Sequence, residues 1–230
     1  MLKAKEIAKL IDISGVRTDV TYEEIEKIAE CARKYGFICA FAMPSATPHL
    51  IQLLKGSSVM VGGVVGFPSG ADTTEVKVEC AKEMKQMGCG EIDMVINVGA
   101  LKSGDYEFVE QDIRAVVEAV RPTPVKSILE IAYLTDEEIK TGCEIAVRAG
   151  VAFVKSGTGW AAQPTTVDSI KIMKNAVGER AKIKAAGGVR TLEVLEKMYD
   201  AGCRRFGISL NSALKILKEA YDRENIPFEG

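Results

Sequence analysis

Short apolar runs and amphipathic stretches alternate along this chain, one after the other, eight times. The runs are KLIDI (9–13), FICAFA (37–42), VMVGGVVG (59–66), EIDMVINV (91–98), VKSILEIA (125–132), VAFVKS (151–156), KIKAA (182–186) and RRFGIS (204–209). Several are apolar almost throughout, as parallel strands covered on both faces must be. The stretches between them have helical spacing and predict helices over 22–35, 48–55, 73–87, 105–120, 136–149, 167–177, 192–201 and 212–225. Thr21 caps the first of these, with Gly36 just past its end. Thr135 and Glu138 form a capping box before another. A doubly wound open sheet of eight strands satisfies this pattern. A closed (β/α)8 TIM barrel satisfies it better, because the count is eight and 230 residues is an ordinary length for that fold. No Pro/Ser-rich linker or low-complexity tract divides the chain, so residues 1–230 read as a single α/β barrel domain.

Composition narrows the chemistry. Thirty basic and 32 acidic residues give a net charge of −2, which carries no general affinity for nucleic acid or an anionic membrane. No apolar run approaches the ~18–20 residues of a membrane span, and the N-terminal stretch lacks the apolar core of a secretory signal. The expectation is a cytoplasmic protein. Its six cysteines (Cys31, Cys39, Cys80, Cys89, Cys143, Cys203) are scattered without a CxxC pair and read as reduced, mostly buried thiols. His49 is the only histidine, so a metal centre or catalytic diad needing two histidines has no candidates.

In a (β/α)8 barrel the reactive groups lie at the C-terminal ends of the strands. Lys155 ends the sixth run and Lys184 lies in the seventh, one βα unit later. Adjacent strands are ~4.8 Å apart, so two inward lysines there are close neighbours. Their ammonium groups repel in a partly dry space, and one is pushed to release its proton near neutral pH. A neutral lysine amine attacks carbonyls and forms a Schiff base. The plainer alternative is that each lysine reaches solvent at the rim. Asp93, among Ile92, Met94 and Val95, needs a buried partner, either an ion pair or a structural hydrogen bond. Asp12 and Glu130 raise the same need on the first and fifth runs, and Asn97 adds a polar group near the end of the fourth. Convergence of these groups on one enclosed space is the economical reading.

Glycine-bearing loops follow the last three runs: SGTG at 156–159, AAGGVRT at 185–191 and RFGISLNSA at 205–213. Loops after strands seven and eight form the usual phosphate site of this fold, where glycine lets the backbone approach the anion. Tight βα turns also use such glycines. Arg190 can add charge there and Ser209 a hydroxyl. The loop after the third run, VVGFPSGADTTEVK, either shapes the pocket floor or is a rigid turn. Trp160 either walls the pocket or covers an apolar patch.

Five segments, GFPSGADTTEVKVECAKE, EIDMVINVGALKSGDYEFVEQDI, LTDEEI, FVKSGTGW and KAAGGVRT, together resemble the deoxyribose-phosphate aldolases of the DeoC family. The resemblance runs from about residue 7 to residue 217. It implies a (β/α)8 barrel that reversibly cleaves 2-deoxyribose 5-phosphate to glyceraldehyde 3-phosphate and acetaldehyde, without metal or organic cofactor. It implies that Lys155 is the Schiff-base lysine, Lys184 the lysine that lowers its pKa, and Asp93 and Asp12 the proton-relay carboxylates. It implies phosphate contacts from Gly159, Gly187, Gly188, Arg190, Gly207 and Ser209. Partners would be small phosphorylated sugars and aldehydes, and members of the family often assemble as homo-oligomers. The chain departs from the family pattern at DIS (12–14), FAMP (41–44), GTGW (157–160) and GISLNS (207–212). Beside this stand a related Schiff-base aldolase for another aldehyde pair, a cofactor-free isomerase or synthase using Asp93 and Glu130, and a non-catalytic sugar-phosphate sensor.

Overall fold

The computed structural model describes residues 1–229. Eight parallel strands close on themselves in sequence order, so the barrel reading holds and the open sheet does not. The strands are β1 (Ile11–Gly15), β2 (Cys39–Ala42), β3 (Met60–Val65), β4 (Glu91–Val95), β5 (Val125–Ile128), β6 (Phe153–Lys155), β7 (Lys182–Ala186) and β8 (Cys203–Ser209). The helices are α1 (Ala4–Ala8), α2 (Tyr22–Tyr35), α3 (Thr47–Leu54), α4 (Thr74–Met87), α5 (Val98–Lys102), α6 (Tyr106–Val120), α7 (Asp136–Arg148), α8 (Val167–Val177), α9 (Leu192–Asp200) and α10 (Leu210–Arg223).

Local chemistry sets the ends. Thr21, Thr73, Asp105, Thr135, Thr166 and Thr191 each accept the N–H of the third helical residue, which satisfies a donor the helix cannot. Gly36 and Gly88 close α2 and α4 in the left-handed conformation, at φ 67° and 104°. Two expected strands stop early. The fourth ends at Val95 because the Asn97 side chain accepts the Ala100 N–H and starts α5. The fifth ends at Ile128, and Glu130 turns the chain at φ 53° into a short 3-10 turn over Ile131–Tyr133. The last helix starts at Leu210, immediately after β8, rather than at residue 212. Helices α1 and α5 were not expected.

Strand parity separates two interiors. Ile11, Ile13, Ala40, Ile92, Met94, Val125, Val154, Ile183, Phe206 and Ile208 face outward and join the helices in one buried apolar cluster. Cys39, Phe41 and Val64 face inward and form a small separate one. The other inward positions are mostly charged. Register pairs Lys155 with Lys184, Lys184 with Arg205, Asp93 with Lys126, and Asp12 with Gly207. The barrel is thus apolar outside and ionic within.

Candidate active site

Lys155 ends β6 beside Lys184, as the alternation of inward residues requires. Both Nζ atoms reach the same oxygen of Asp93, at 2.8 Å from Lys155 and 2.7 Å from Lys184. Lys184 also lies 2.6 Å from Asp12 Oδ2. The rim-snorkelling alternative is therefore wrong for both lysines. Phe41 stacks under the Lys184 ammonium, with the ring centroid 4.3 Å away. Gly62 makes room for that ring, since a Cβ there would lie 2.2 Å from it. Gly207 does the same for Lys184: its Cβ would come within 3.3 Å of Lys184 Cε.

Three charged groups that the sequence reading did not single out complete the interior. Lys126 Nζ contacts Glu91 and lies 3.3 Å from both Asp12 and Asp93. Arg205 donates to Asp12 at 2.6 Å and to Glu91 at 2.7 Å. The signal for them was parity. Glu91 precedes Asp93 by two residues, Arg205 precedes Gly207 by two, and Lys126 pairs with Asp93 in register. Asp12, Cys39 and Glu91 bring three potential metal-ligating atoms within 4.8 Å of one another, but Lys126 and Arg205 already engage both carboxylates.

Electrostatics follow from this crowding. Burial raises the cost of a charged Asp12, but Lys126, Lys184 and Arg205 outweigh it and hold its carboxyl at about 2. Asp93 is likewise held well below the carboxylate range by Lys126, Lys155 and Lys184 against its own burial. Lys155 goes the other way. Burial above all, then Lys184 and Lys126, lower it from 10.5 to about 8 against the pull of Asp93. It is the most exposed of the interior lysines toward a cavity that it shares with Lys184, 6% where Lys184 is 1% and Lys126 0%.

That cavity, about 320 Å³, opens above Lys155 and Lys184. Gly159, Gly187, Gly188, Arg190, Gly207 and Ser209 all line it, as does Asp12. Gly187 and Gly188 adopt φ 83° and 93°, and Gly188 has Pro164 where a Cβ would stand, 2.5 Å away. Only glycine suits both demands. Ser209 occupies the N-cap of α10 without capping it through its side chain, so the start of that helix opens on the cavity beside Ser212. Arg17 also lines the cavity but is held by Glu24 at 2.8 Å. Trp160 walls the mouth: its indole N–H donates to the Val16 carbonyl at 2.8 Å, and its ring meets Phe67 edge-on at 6.0 Å.

Two expected members of the constellation lie elsewhere. Asn97 is spent as the helix cap. The Glu130 carboxylate accepts the Thr158 N–H at 3.2 Å and the Thr158 hydroxyl, so it braces the loop after β6 rather than facing the cavity. Ser156 and Thr165 tie that loop to Ala186 at the end of β7, the hydroxyls donating to its carbonyl at 3.1 and 2.7 Å. Sequence gave no cue to this brace beyond a small polar loop.

The sequence pattern of the DeoC/LacD family aldolases matches residues 9–210. The chain belongs to that family. A deoxyribose-phosphate aldolase of Sinorhizobium medicae is 46% identical to this DeoC/LacD aldolase over 219 residues, 95% of this chain and 88% of the relative. One from Listeria welshimeri is 46% identical over 209 residues, 90% of this chain and 94% of the relative. Among solved structures, QR15, an aldolase, superposes with a TM-score of 0.90 at 32% identity, covering 98% of this chain and 99% of its own. The tetrameric deoxyribose phosphate aldolase of Aeropyrum pernix superposes with a TM-score of 0.86 at 25% identity, covering 97% and 93%. No described helix is long and apolar enough to cross a membrane.

Proposed function

We propose that this family member is a class I aldolase that reversibly cleaves 2-deoxy-D-ribose 5-phosphate to D-glyceraldehyde 3-phosphate and acetaldehyde, with Lys155 as its nucleophile. One observation carries the assignment of the nucleophile: Lys155 is the interior lysine that both meets the cavity and is brought down to about 8. At neutral pH a useful fraction is free amine, whereas an ordinary lysine offers almost none.

The amine adds to the C1 aldehyde of the open-chain sugar. Loss of water leaves a protonated imine, which draws electrons from C2. The C3 hydroxyl gives up its proton, the C2–C3 bond breaks, and glyceraldehyde 3-phosphate departs. The enamine left on Lys155 takes a proton at C2, and water then releases acetaldehyde. We assign the proton transfers to Asp93 and Asp12, which share the Lys184 ammonium at 2.7 and 2.6 Å. The phosphate would lie at the opposite end of the cavity. Support there comes from the glycines of the β6 and β7 loops, the N-terminus of α10, and Arg190, a cavity cation without an ion-pair partner among the described residues. A substrate bearing a phosphate is confined to the cell interior, which accords with a cytoplasmic enzyme. The tetrameric Aeropyrum relative supports a homo-oligomer, to be measured by light scattering after gel filtration.

Reductive trapping tests the reading. Incubation with 2-deoxyribose 5-phosphate and borohydride is expected to leave one adduct, on the peptide bearing Lys155, and none in Lys155→Ala. An adduct confined to Lys184 or Lys126 would overturn the assignment.

A further inference from the structure

The chemistry above uses Lys155, Lys184, Asp93 and Asp12. Three buried charged groups beneath them, Glu91, Lys126 and Arg205, have no part in it. They are not filling for the bottom of the barrel, because each contacts a catalytic carboxylate or a group that does. Lys126 touches all three interior carboxylates: Glu91, Asp12 and Asp93. Arg205 touches Asp12 and Glu91. Lys184 touches Asp12 and Asp93. Lys155 touches Asp93 alone.

The interior thus holds four cations against three carboxylates. One positive charge is in excess, and in a space this dry an excess charge is released as a proton. Arg205 cannot release it. Lys126, among three carboxylates, is pushed up well beyond the ordinary lysine range. Lys155 has the fewest anionic contacts of the four and, of the two lysines that line the cavity, is the more exposed. The remaining inward groups do not alter the tally. Cys39 on β2 is pushed well up by burial and stays a neutral thiol. β3 presents Met60, Gly62 and Val64. Lys182 is exposed at the lower mouth, Arg17 is neutralised by Glu24 at the upper one, and Arg190 lies on the upper rim.

We propose that Lys126, pinned by Glu91 below the level of the reaction, is a positioning residue that supplies the surplus positive charge of the barrel interior and so keeps Lys155 available as a free amine. Glu91 sets the size of that surplus from the other side. The arrangement places the control of the nucleophile on β4 and β5, away from the substrate, where it survives changes in the cavity loops.

The inference rests on Lys155 being the Schiff-base amine, and the experiment separates the two. The rate of acetaldehyde adduct formation on Lys155 is followed by mass spectrometry with cyanoborohydride as trap, as a function of pH. The proteins are wild type, Lys126→Met, Glu91→Gln and the double variant. Lys126→Met balances the interior with Lys155 protonated, so the pH of half-maximal rate moves up, by about one unit. Glu91→Gln adds a second surplus charge and moves it down. The double variant restores the wild-type surplus and returns the midpoint to within about 0.3 units of wild type. It also leaves no lone buried charge, so it folds even if a single variant does not. Shifts in one direction for both single variants, no shift, or a double variant whose midpoint stays displaced overturns the proposal. No adduct in the wild type at any pH overturns the reading of Lys155 itself.

Discussion

Two buried lysine–aspartate pairs in this protein have opposite characters. Lys77 on α4 meets Asp112 on α6 at 2.6 Å, both fully enclosed between helix and barrel. The Thr74 hydroxyl donates to the other Asp112 oxygen at 2.8 Å. One cation has one carboxylate, and the pair is closed. Lys155 meets Asp93 at 2.8 Å, but Lys184 takes the same oxygen and Lys126 approaches the other. One carboxylate has three cations. Lys77 is the more deeply buried of the two lysines, so burial alone does not make a lysine reactive. What distinguishes Lys155 is that its counter-ion is oversubscribed and a cavity adjoins it.

The largest expected effect breaks the second pair. Lys155→Ala is expected to lower kcat/KM for deoxyribose 5-phosphate cleavage by at least about 10⁴-fold, as loss of a covalent nucleophile does. Thermal stability should be unchanged or raised, because the variant removes a charge that the interior holds in excess. A residual rate within tenfold of wild type would remove Lys155 from the chemistry. Asp93→Asn comes next. It takes the shared carboxylate from three cations, and about 10²–10⁴-fold in kcat is expected to go with it. Steady-state kinetics on the purified variant checks both.

Breaking the first pair should do the reverse. Lys77→Met strands the Asp112 carboxylate with only the Thr74 hydroxyl, and about 3–5 kcal/mol of folding stability should be lost. Urea unfolding at neutral pH measures it. The fraction that remains folded should cleave substrate at the wild-type rate and keep the pH profile of Lys155 trapping. A change in that profile would mean that the two pairs communicate, for instance through Gly66, where a Cβ would lie 3.1 Å from Lys77 Cε.

Legibility in the sequence followed the same physical line. Lys155, Lys184, Asp93 and Asp12 stood out because each interrupts a run of apolar residues, and a charge there must be paired or used. Glu91, Lys126 and Arg205 lie at or near strand beginnings, where a charge ordinarily faces water, and they drew no notice. Applying period-two alternation downward from Asp93 and Gly207 would have put Glu91 and Arg205 inside. Asn97 and Glu130 misled because the apolar runs continue past the strands. Ile96 and Leu129 remain fully buried just past the last residues of β4 and β5, so hydrophobicity alone overstated both strands. The Asn97-Val98-Gly99 step was a readable cap signal. The left-handed turn at Glu130 was not readable, because it depends on Thr158, whose partnership only the closed barrel creates.

The smallest expected effect sharpens the comparison through stability rather than rate. Lys155 falls from 10.5 in an unfolded chain to about 8 in the folded protein. Below pH 8 both states are protonated and the folded state bears the full cost of confining the charge. Between pH 8 and 10.5 the unfolded chain binds more protons, so stability rises with pH, and above 10.5 the cost is gone. Tyrosines and cysteines titrate in the same window, so the useful quantity is the difference between wild type and Lys155→Met. That difference should move in favour of wild type by about 2 kcal/mol between roughly pH 7.5 and 9.5. Lys77→Met retains Lys155 and should keep the wild-type slope while lying below it throughout. Parallel lines for wild type and Lys155→Met would mean that Asp93 serves Lys155 as fully as Asp112 serves Lys77, and that sharing a carboxylate does not set the amine free.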